Sequence, residues 1–372
     1  MDKALSTWLS QRQCRLLDET IATTSRLQKS YVVYGCMLLL PSVATSILAQ
    51  DPAISSADLQ NLYELLAVHL KVTHIAVTKP IPLRRNQSSS DRSGEENTLR
   101  SPSDFAPLYG DVGPASCSNP PTQADFDSAF WVTAKQNGIF QTWAPRWIMF
   151  SRGNISEKAR LLGLHSVAEA VVRGREDGGE GCTAVDLYVG IGYFAFSYAK
   201  AGVEKVLGWD LNAWSCEGLR RGARANGWKA VVLDGEDAGL REVVEDHETT
   251  FIVFNESNEY AVARVDSMRS RLPPVRHVNC GLLPTSRGSW GTAVQVLDQR
   301  LGGWIHVHEN FAINEIEERA EEVRAEIESS LVQSHNRGRS VEVEHVNRLK
   351  SYAPGVIHCV LDIYIPPLGS AG

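Results

Sequence analysis

Apolar and polar positions follow two different rhythms along the chain, separated by a polar gap. Before the gap, Leu59 to Leu70 is amphipathic, while YVVYGCMLLLPSVATSILA is almost wholly apolar. Pro41 interrupts that run and leaves it short of a membrane span, so it predicts a buried strand followed by a turn. The gap, Arg84 to Asp104, is rich in serine and charge and nearly free of large apolar residues. Such a composition cannot offset the entropy of ordering and predicts a disordered linker. A stretch rich in Pro, Gly and Ser extends it to Thr122. These shifts predict an N-terminal accessory domain (1–83), a linker (84–122) and a larger domain (123–372).

After Cys182 the rhythm is strand, loop, helix. TAVDLYV, KVLGWD, TFIVF, HVNCGLLP and GGWIHVH are short apolar runs, and helix-length segments such as Ala213 to Asn226 and Glu259 to Arg271 separate them. That alternation predicts an α/β fold with a parallel, doubly wound sheet starting near residue 181. Upstream, Asn154 and Glu157 have capping-box spacing and predict a helix from Ile155, with Ala159, Leu162 and Ala168 on its buried face. Asn314 to Leu331 is acidic, with Ile316, Ala320, Val323, Ile327 and Leu331 at helical spacing: a solvated face over a buried stripe. The tail, HVNRLKSYAPGVIHCVLDIYI, predicts a β-rich run that completes the sheet edge.

Composition narrows the class. A chain of 372 residues, 43% hydrophobic, can bury one large core and a second small one. A net charge of −7 argues against a generic polyanion binder but leaves room for a local basic patch. The seven cysteines are scattered, without CxxC or Cys/His spacing for zinc, so they read as free buried thiols in a reducing compartment, with no metal site. The first twenty residues carry no signal-peptide core, and a cytoplasmic protein with no membrane attachment is expected.

The candidate chemistry starts at AVDLYVGIGYFAF. Gly190 and Gly192 follow a strand, Ala195 stands where a third glycine is usual, and Asp210 ends the next strand twenty residues after Gly190. A carboxylate there holds both hydroxyls of a ribose. A nicotinamide cofactor and S-adenosylmethionine fit this equally. Asp186 separates them: it lies inside the strand, four residues before Gly190, where a dinucleotide site has an apolar residue. A carboxylate suits a methionine ammonium and a sulfonium rather than a pyrophosphate. The pattern resembles the first two motifs of the class I S-adenosylmethionine-dependent transferases, which implies a Rossmann-like sheet with that molecule as co-substrate.

Four blocks carry a narrower resemblance: MFSRGNISEKAR, VDLYVGIGYF, HVNCGLLPTSRGSW and GGWIHVHEN. Together they resemble the tRNA wybutosine-synthesis aminocarboxypropyltransferases, relatives of the tRNA guanosine N1-methyltransferases. YVVYGCMLLLP and LYGDVGP look like the fungal branch. The likeness covers about Ala124 to Ile365 well and the first hundred residues thinly. It implies transfer of the 3-amino-3-carboxypropyl group from S-adenosylmethionine to a carbon of the demethylwyosine base beside the anticodon of phenylalanine tRNA, with methylthioadenosine released. It also implies that Ser151 and Lys158 contact the co-substrate and that Asp210 takes the place of a ribose-binding Glu. The family's next contact closes the third strand, and two candidates compete for it. Ser257 and Asn258 follow the stronger strand, TFIVF, and are favoured; Asp237 of GED comes second.

Other readings remain. Methyltransferases acting on base nitrogens commonly carry an Asn/Asp-Pro-Pro-aromatic loop, and Asn279 to Pro284 departs from it, which disfavours amino methylation without excluding a tRNA methyltransferase. A non-catalytic tRNA- or cofactor-binding module is the third reading. His306, His308 and Glu309 lie near a strand end, but none is assigned as catalytic. Candidate phosphate contacts are Arg264, Arg269, Arg271 and Arg276, then Arg337, Arg339, Arg348 and Lys350. Trp131, Phe140, Trp143 and Trp147 are candidates to stack on a splayed base.

Overall fold

A computed structural model describes residues 1–11, 16–78, 105–176, 179–235, 239–333 and 339–369. The expected linker Arg84 to Asp104 lies outside the described residues, as do Cys14, Asp237 and Arg337. The chain divides into two compact units, one of Met1–Ala134 with Thr142–Phe150, the other of Lys135–Gln141 with Ser151–Gly372.

The first unit contains α1 (Asp2–Ser10), α2 (Asp18–Ser30), β1 (Val32–Tyr34), β2 (Met37–Pro41), α3 (Ser42–Gln50), α4 (Ser56–Leu70), β3 (His74–Thr78), β4 (Ala106–Tyr109) and α5 (Gln123–Ser128). Its four strands lie in the order β1-β2-β3-β4. The apolar run around Pro41 is therefore two strands and a helix rather than one strand and a turn. An unbroken apolar string carries no period, so it cannot tell strand from helix. Leu38 and Leu40 of β2 and Ala44 and Leu48 of α3 fill one core with Leu62 and Leu66 of α4. Within the span expected as linker, β4 pairs antiparallel with β3.

A hairpin of β5 (Val132–Gln136) and β6 (Ile139–Trp143) comes next, followed by α6 (Ile155–Leu162), α7 (His165–Arg175), β7 (Thr183–Asp186), α8 (Ala195–Lys200), β8 (Lys205–Trp209), α9 (Ala213–Ala225), β9 (Lys229–Leu233) and α10 (Leu240–Glu245). The remainder is β10 (Thr249–Phe254), α11 (Ala261–Met268), β11 (Val275–Cys280), α12 (Trp290–Val296), β12 (Gly303–Ala312), α13 (Ile316–Gln333), β13 (Glu342–Ala353) and β14 (Val356–Ile365). The sheet of the second unit runs β13-β14-β12-β11-β7-β8-β10-β9. From β12 to β9 all neighbours are parallel, and β14 and β13 are added antiparallel. Strand order reverses at β7, where a ligand crevice opens at the carboxyl ends of a doubly wound sheet.

Two expectations need correction. The tail does complete the sheet edge, but its last run, β14, is interior and β13 before it forms the edge. Helix α6 does start at Ile155, but Asn154 makes no side-chain cap. Its Oδ1 accepts from Lys350 Nζ at 3.0 Å, and Glu157 is held by Arg160. Glu157, Lys158 and Leu161 are the buried positions of α6, whereas Ala159 and, in α7, Ala168 are exposed. By contrast, Ile316, Ala320, Val323, Ile327 and Leu331 of α13 are all buried, as their spacing predicts.

The two faces of the large sheet differ in kind. One is mostly apolar, with Val185, Val278, Ile305, Val307, Leu361 and Ile363 in a single cluster. The alternate positions carry Asp186, His277, Asn279, His306, His308, His358 and Asp362, each at most 4% exposed. Burying so many polar groups is tolerable only where they bond one another. His277 Nδ1 lies 3.1 Å from His306 Nε2, His306 Nδ1 lies 2.7 Å from Asp362 Oδ1, and His308 Nδ1 lies 3.0 Å from His358 Nε2.

Candidate functional site

The glycine loop is built as its sequence requires. Gly190 and Gly192 sit at φ +54° and +87°, and a Cβ on Gly192 would meet the Phe196 ring at 2.7 Å. Only glycine combines that backbone with that approach. The loop is tied to the next strand: Gly190 N–H donates to Asp210 Oδ2 at 3.0 Å, and Asn212 N–H donates to Asp210 Oδ1 at 2.8 Å. Each carboxylate oxygen keeps further lone-pair capacity after these bonds. Burial pushes the Asp210 carboxyl up to about 6.

Asp186 lies at the end of β7, below the loop. Its Oδ1 accepts from Tyr188 N–H at 3.2 Å and from Asn279 Nδ2 at 3.1 Å. Its Oδ2 is enclosed and has no hydrogen-bond partner among the described residues. Burial raises this carboxyl to about 7. An enclosed carboxylate oxygen with nothing to bond is the feature expected where a cationic ligand completes the site.

Ser151 and Lys158 converge on the same loop through Tyr193. The Tyr193 hydroxyl accepts from Ser151 N–H at 3.0 Å, and Lys158 Nζ stands 5.4 Å from the centroid of its ring. Lys158 also donates to Gln136 Oε1 at 2.6 Å and Gln141 Oε1 at 3.0 Å. Burial, with the nearby charge of Lys350, lowers its ammonium to about 8.

The third-strand question turns on strand order. β10 is the neighbour of β8, while β9 is one strand further out at the edge. The end of β10 therefore lies beside Asp210: Asn255 Nδ2 donates to the Asp210 carbonyl at 2.9 Å, and Asn258 Nδ2 donates to the Leu187 carbonyl at 2.8 Å. Ser257 caps the short turn that follows, accepting from Glu259 N–H. Asp237, after β9, lies outside the described residues.

Tyr193, Asn255, Asn279, Gln136 and Gln141 were not singled out as site residues in the sequence, although they adjoin Lys158, Asp186 or Asp210, and Lys350, a candidate phosphate contact, stands near Lys158. Gln136 and Gln141 flank an Asn-Gly hairpin turn, a recognisable signal for the turn but not for its target.

The strand-end acid–base candidates are engaged elsewhere. Glu309 Oε1 accepts from Thr285 Oγ1 and Ser286 N–H, both at 2.8 Å, and so clamps the loop after β11. Both ring nitrogens of His306 are occupied by His277 and Asp362. His308 is driven by burial down to about 3 and is neutral. The first arginine cluster is largely neutralised. Arg264, Arg269 and Arg271 pair with Glu256, Asp266 and Glu245, and Arg276 is 2% exposed with Nε on the Gly302 carbonyl. In the second cluster Arg339 is buried against the Pro366 carbonyl, whereas Arg348 is exposed and Lys350 half-buried. Among the aromatics, Trp143 is core, stacked on Phe150 at 4.3 Å, and Trp131 Nε1 is spent on the Phe126 carbonyl. Phe140 and Trp147 are half-buried.

Among the described residues no group of three His, Cys, Asp or Glu is arranged to hold a metal, and no helix is long and apolar enough to cross a membrane. Among the described residues six cysteines are free thiols, of which Cys182, Cys216, Cys280 and Cys359 are buried.

Known structures share this architecture. Pyrococcus horikoshii TYW2, solved in complex with MeSAdo, superposes with a TM-score of 0.59 over 97% of this chain and 99% of its own, at 18% identity. The aTrm5 of a complex with tRNALeu gives 0.53 over 91% of this chain and 72% of its own, at 16% identity. The fold is the one these structures share, a doubly wound α/β sheet with a smaller N-terminal unit. No family model matches the chain. Curated sequences are more specific. The chain is 40% identical over 303 residues to tRNA wybutosine-synthesizing protein 2 of Schizosaccharomyces pombe, and 32% identical over 317 residues to that of Saccharomyces cerevisiae. Over the matched residues the chain is similar to the tRNA wybutosine-synthesizing protein 2 family. The matches take in 81% and 78% of this chain but 63% and 60% of the two relatives.

Proposed function

We propose that the protein transfers the 3-amino-3-carboxypropyl group of S-adenosylmethionine to the demethylwyosine base beside the anticodon of phenylalanine tRNA, in the cytoplasm. The 40% identity to a wybutosine-synthesizing protein carries this reading. The site fits the co-substrate. Asp186 Oδ2 offers an enclosed anion to the methionine ammonium, Asp210 offers two oxygens to the ribose, and Lys158 with Ser151 suits the methionine carboxylate. Asn255, Ser257 and Asn258 border the ribose side and suit the adenine end.

The chemistry is one displacement. A base carbon attacks the methionine Cγ, the Cγ–S bond breaks, and its electron pair neutralises the sulfonium to leave methylthioadenosine. The base carbon then loses its proton. Which sulfonium substituent leaves depends on which carbon is held in line with the nucleophile. Residues that fix both ends of the methionine arm therefore choose the reaction.

The product decides among the readings. Incubation with labelled S-adenosylmethionine and hypomodified phenylalanine tRNA is expected to yield methylthioadenosine and a tRNA heavier by the aminocarboxypropyl group. S-adenosylhomocysteine with a methylated tRNA would establish a methyltransferase instead. Calorimetry that finds tRNA bound and S-adenosylmethionine ignored would leave only the binding module.

Co-substrate binding should also depend on pH. Burial raises Asp186 to about 7 and Asp210 to about 6; only ionised Asp186 attracts the ammonium, and ionised Asp210 is the stronger acceptor for the ribose hydroxyls. Affinity is expected to fall roughly tenfold or more between pH 8 and 5.5, since each pKa unit is worth about 1.4 kcal/mol. Stability of the free protein runs the opposite way. Both carboxyls are raised above their unfolded values, so their contribution is present at low pH and is lost as pH rises through 6 to 7. The dissociation constant by calorimetry, not the melting temperature alone, is the measurement, and a pH-independent value would refute the assignment.

A further inference from the structure

The polar face of the large sheet ends in three enclosed atoms with nothing to bond. Asn310 on β12 has both its amide nitrogen and its amide oxygen buried without a hydrogen-bond partner, and His358 on β14 has Nδ1 in the same condition. The two residues are direct cross-strand partners. Three of the ten such atoms among the described residues thus fall on one adjacent pair, which marks the spot as incomplete rather than loosely packed.

Their position ties them to the candidate site. Alternation along β12 sets Asn310 on the face of His306 and His308, and His358 is held there by its Nε2 contact to His308. Phe194, at the start of α8, borders the pair through His308, with ring centroids 4.9 Å apart. The Asn310 backbone N–H donates to the Pro284 carbonyl at 3.3 Å, so the pair adjoins the loop that follows β11. Asp186 shares this face two strands away, bridged by Asn279.

We propose that Asn310 and His358 recognise the edge of the acceptor base, a planar heterocycle that offers both a hydrogen-bond donor and an acceptor along its rim. An amide presents one donor and one acceptor side by side, the complement of a nucleobase edge, and splayed bases are read in this way. His358 adds a donor or an acceptor according to its tautomer. Asn310 is then a specificity residue, not an acid or a base. The assignment rests on the transfer reading above, and the test separates the two.

The full chain carrying Asn310→Leu is compared with wild type on two tRNAs, hypomodified phenylalanine tRNA bearing the tricyclic base and the same tRNA bearing guanosine. The expected result is a loss of roughly 10- to 100-fold in single-turnover transfer and collapse of the preference between the tRNAs, the scale of one lost bidentate base contact. S-adenosylmethionine affinity stays at the wild-type value, and the melting temperature is unchanged or higher, because an unsatisfied buried amide has been removed. Asn310→Asp, which keeps an acceptor and loses the donor, should fall between. Transfer and preference within about twofold of wild type would overturn the proposal, since a lost base contact is worth more than that. So would an equal loss on both tRNAs, or a drop in melting temperature with weakened S-adenosylmethionine binding, either of which marks a structural role. Failure of the wild type to transfer overturns the reaction instead, and the binding preference still decides the base contact.

Discussion

Asp210→Ala is expected to weaken S-adenosylmethionine binding by about 1.5–3 kcal/mol, the range for hydrogen bonds to a charged group. That is roughly 10- to 150-fold in dissociation constant, read by calorimetry at pH 8 where the carboxylate is ionised. The same oxygens accept from Gly190 N–H and Asn212 N–H, so the substitution also releases the glycine loop from the start of α9. Asp210→Asn is the control for that second effect, since it keeps one acceptor for the loop and removes the charge. A dissociation constant unchanged in Asp210→Ala would show that the ribose is held elsewhere.

The largest effect on stability is expected at Arg160. Its guanidinium holds Asp362 at 2.6 and 2.9 Å and Glu157 at 2.6 Å, and those two carboxylate side chains are only 6% and 3% exposed. Arg160→Met leaves two buried anions without their cation and should cost about 3–5 kcal/mol, read from the denaturant midpoint. Burial would by itself raise the Asp362 carboxyl, but the His306 hydrogen bond and Arg160 hold it well below the carboxylate range. In the wild type that contribution is present above the unfolded value and is lost as pH falls towards the folded one. In the variant Asp362 loses the cation that lowers its pKa, and stability recovers in part as pH falls. Adding Asp362→Asn to Arg160→Met should restore part of the loss, because the pair is then removed rather than broken. A single variant as stable as wild type would mean that water or His306 alone satisfies Asp362.

The polar face that makes Arg160 important was only half visible in the sequence. GGWIHVHEN alternates polar and apolar residues, which shows a strand with two unlike faces. The sequence assigned neither histidine as catalytic, and His306 and His308 are buried in the core. Their partners, Asp362 and His358, lie more than forty residues further on, on a strand whose register no local pattern reveals. The capping-box spacing at Asn154 and Glu157 misled for the same reason. Both side chains had a capping use, but Lys350 on distant β13 claimed Asn154, and Arg160, one turn along α6 and gripping Asp362 as well, claimed Glu157. Local propensity places helix ends to within a turn, and tertiary competition decides what a cap residue bonds.

What the sequence determined by itself was the class of fold, the glycine loop and its two carboxylates, because each rests on short-range rules. These are the period of apolar residues, the left-handed backbone of Gly190 and Gly192, and the twenty-residue step from Gly190 to Asp210. The tertiary structure alone decided the rest. It put β10, not β9, beside β8, and so brought Asn255 to Asp210 and Asn258 to Leu187. It neutralised the first arginine cluster, enclosed Asp186 Oδ2, and set Asn310 across from His358. Strand order, register and charge pairing are contests between residues far apart in the chain. Only the folded packing settles them, because each outcome depends on which partner is near enough to displace water.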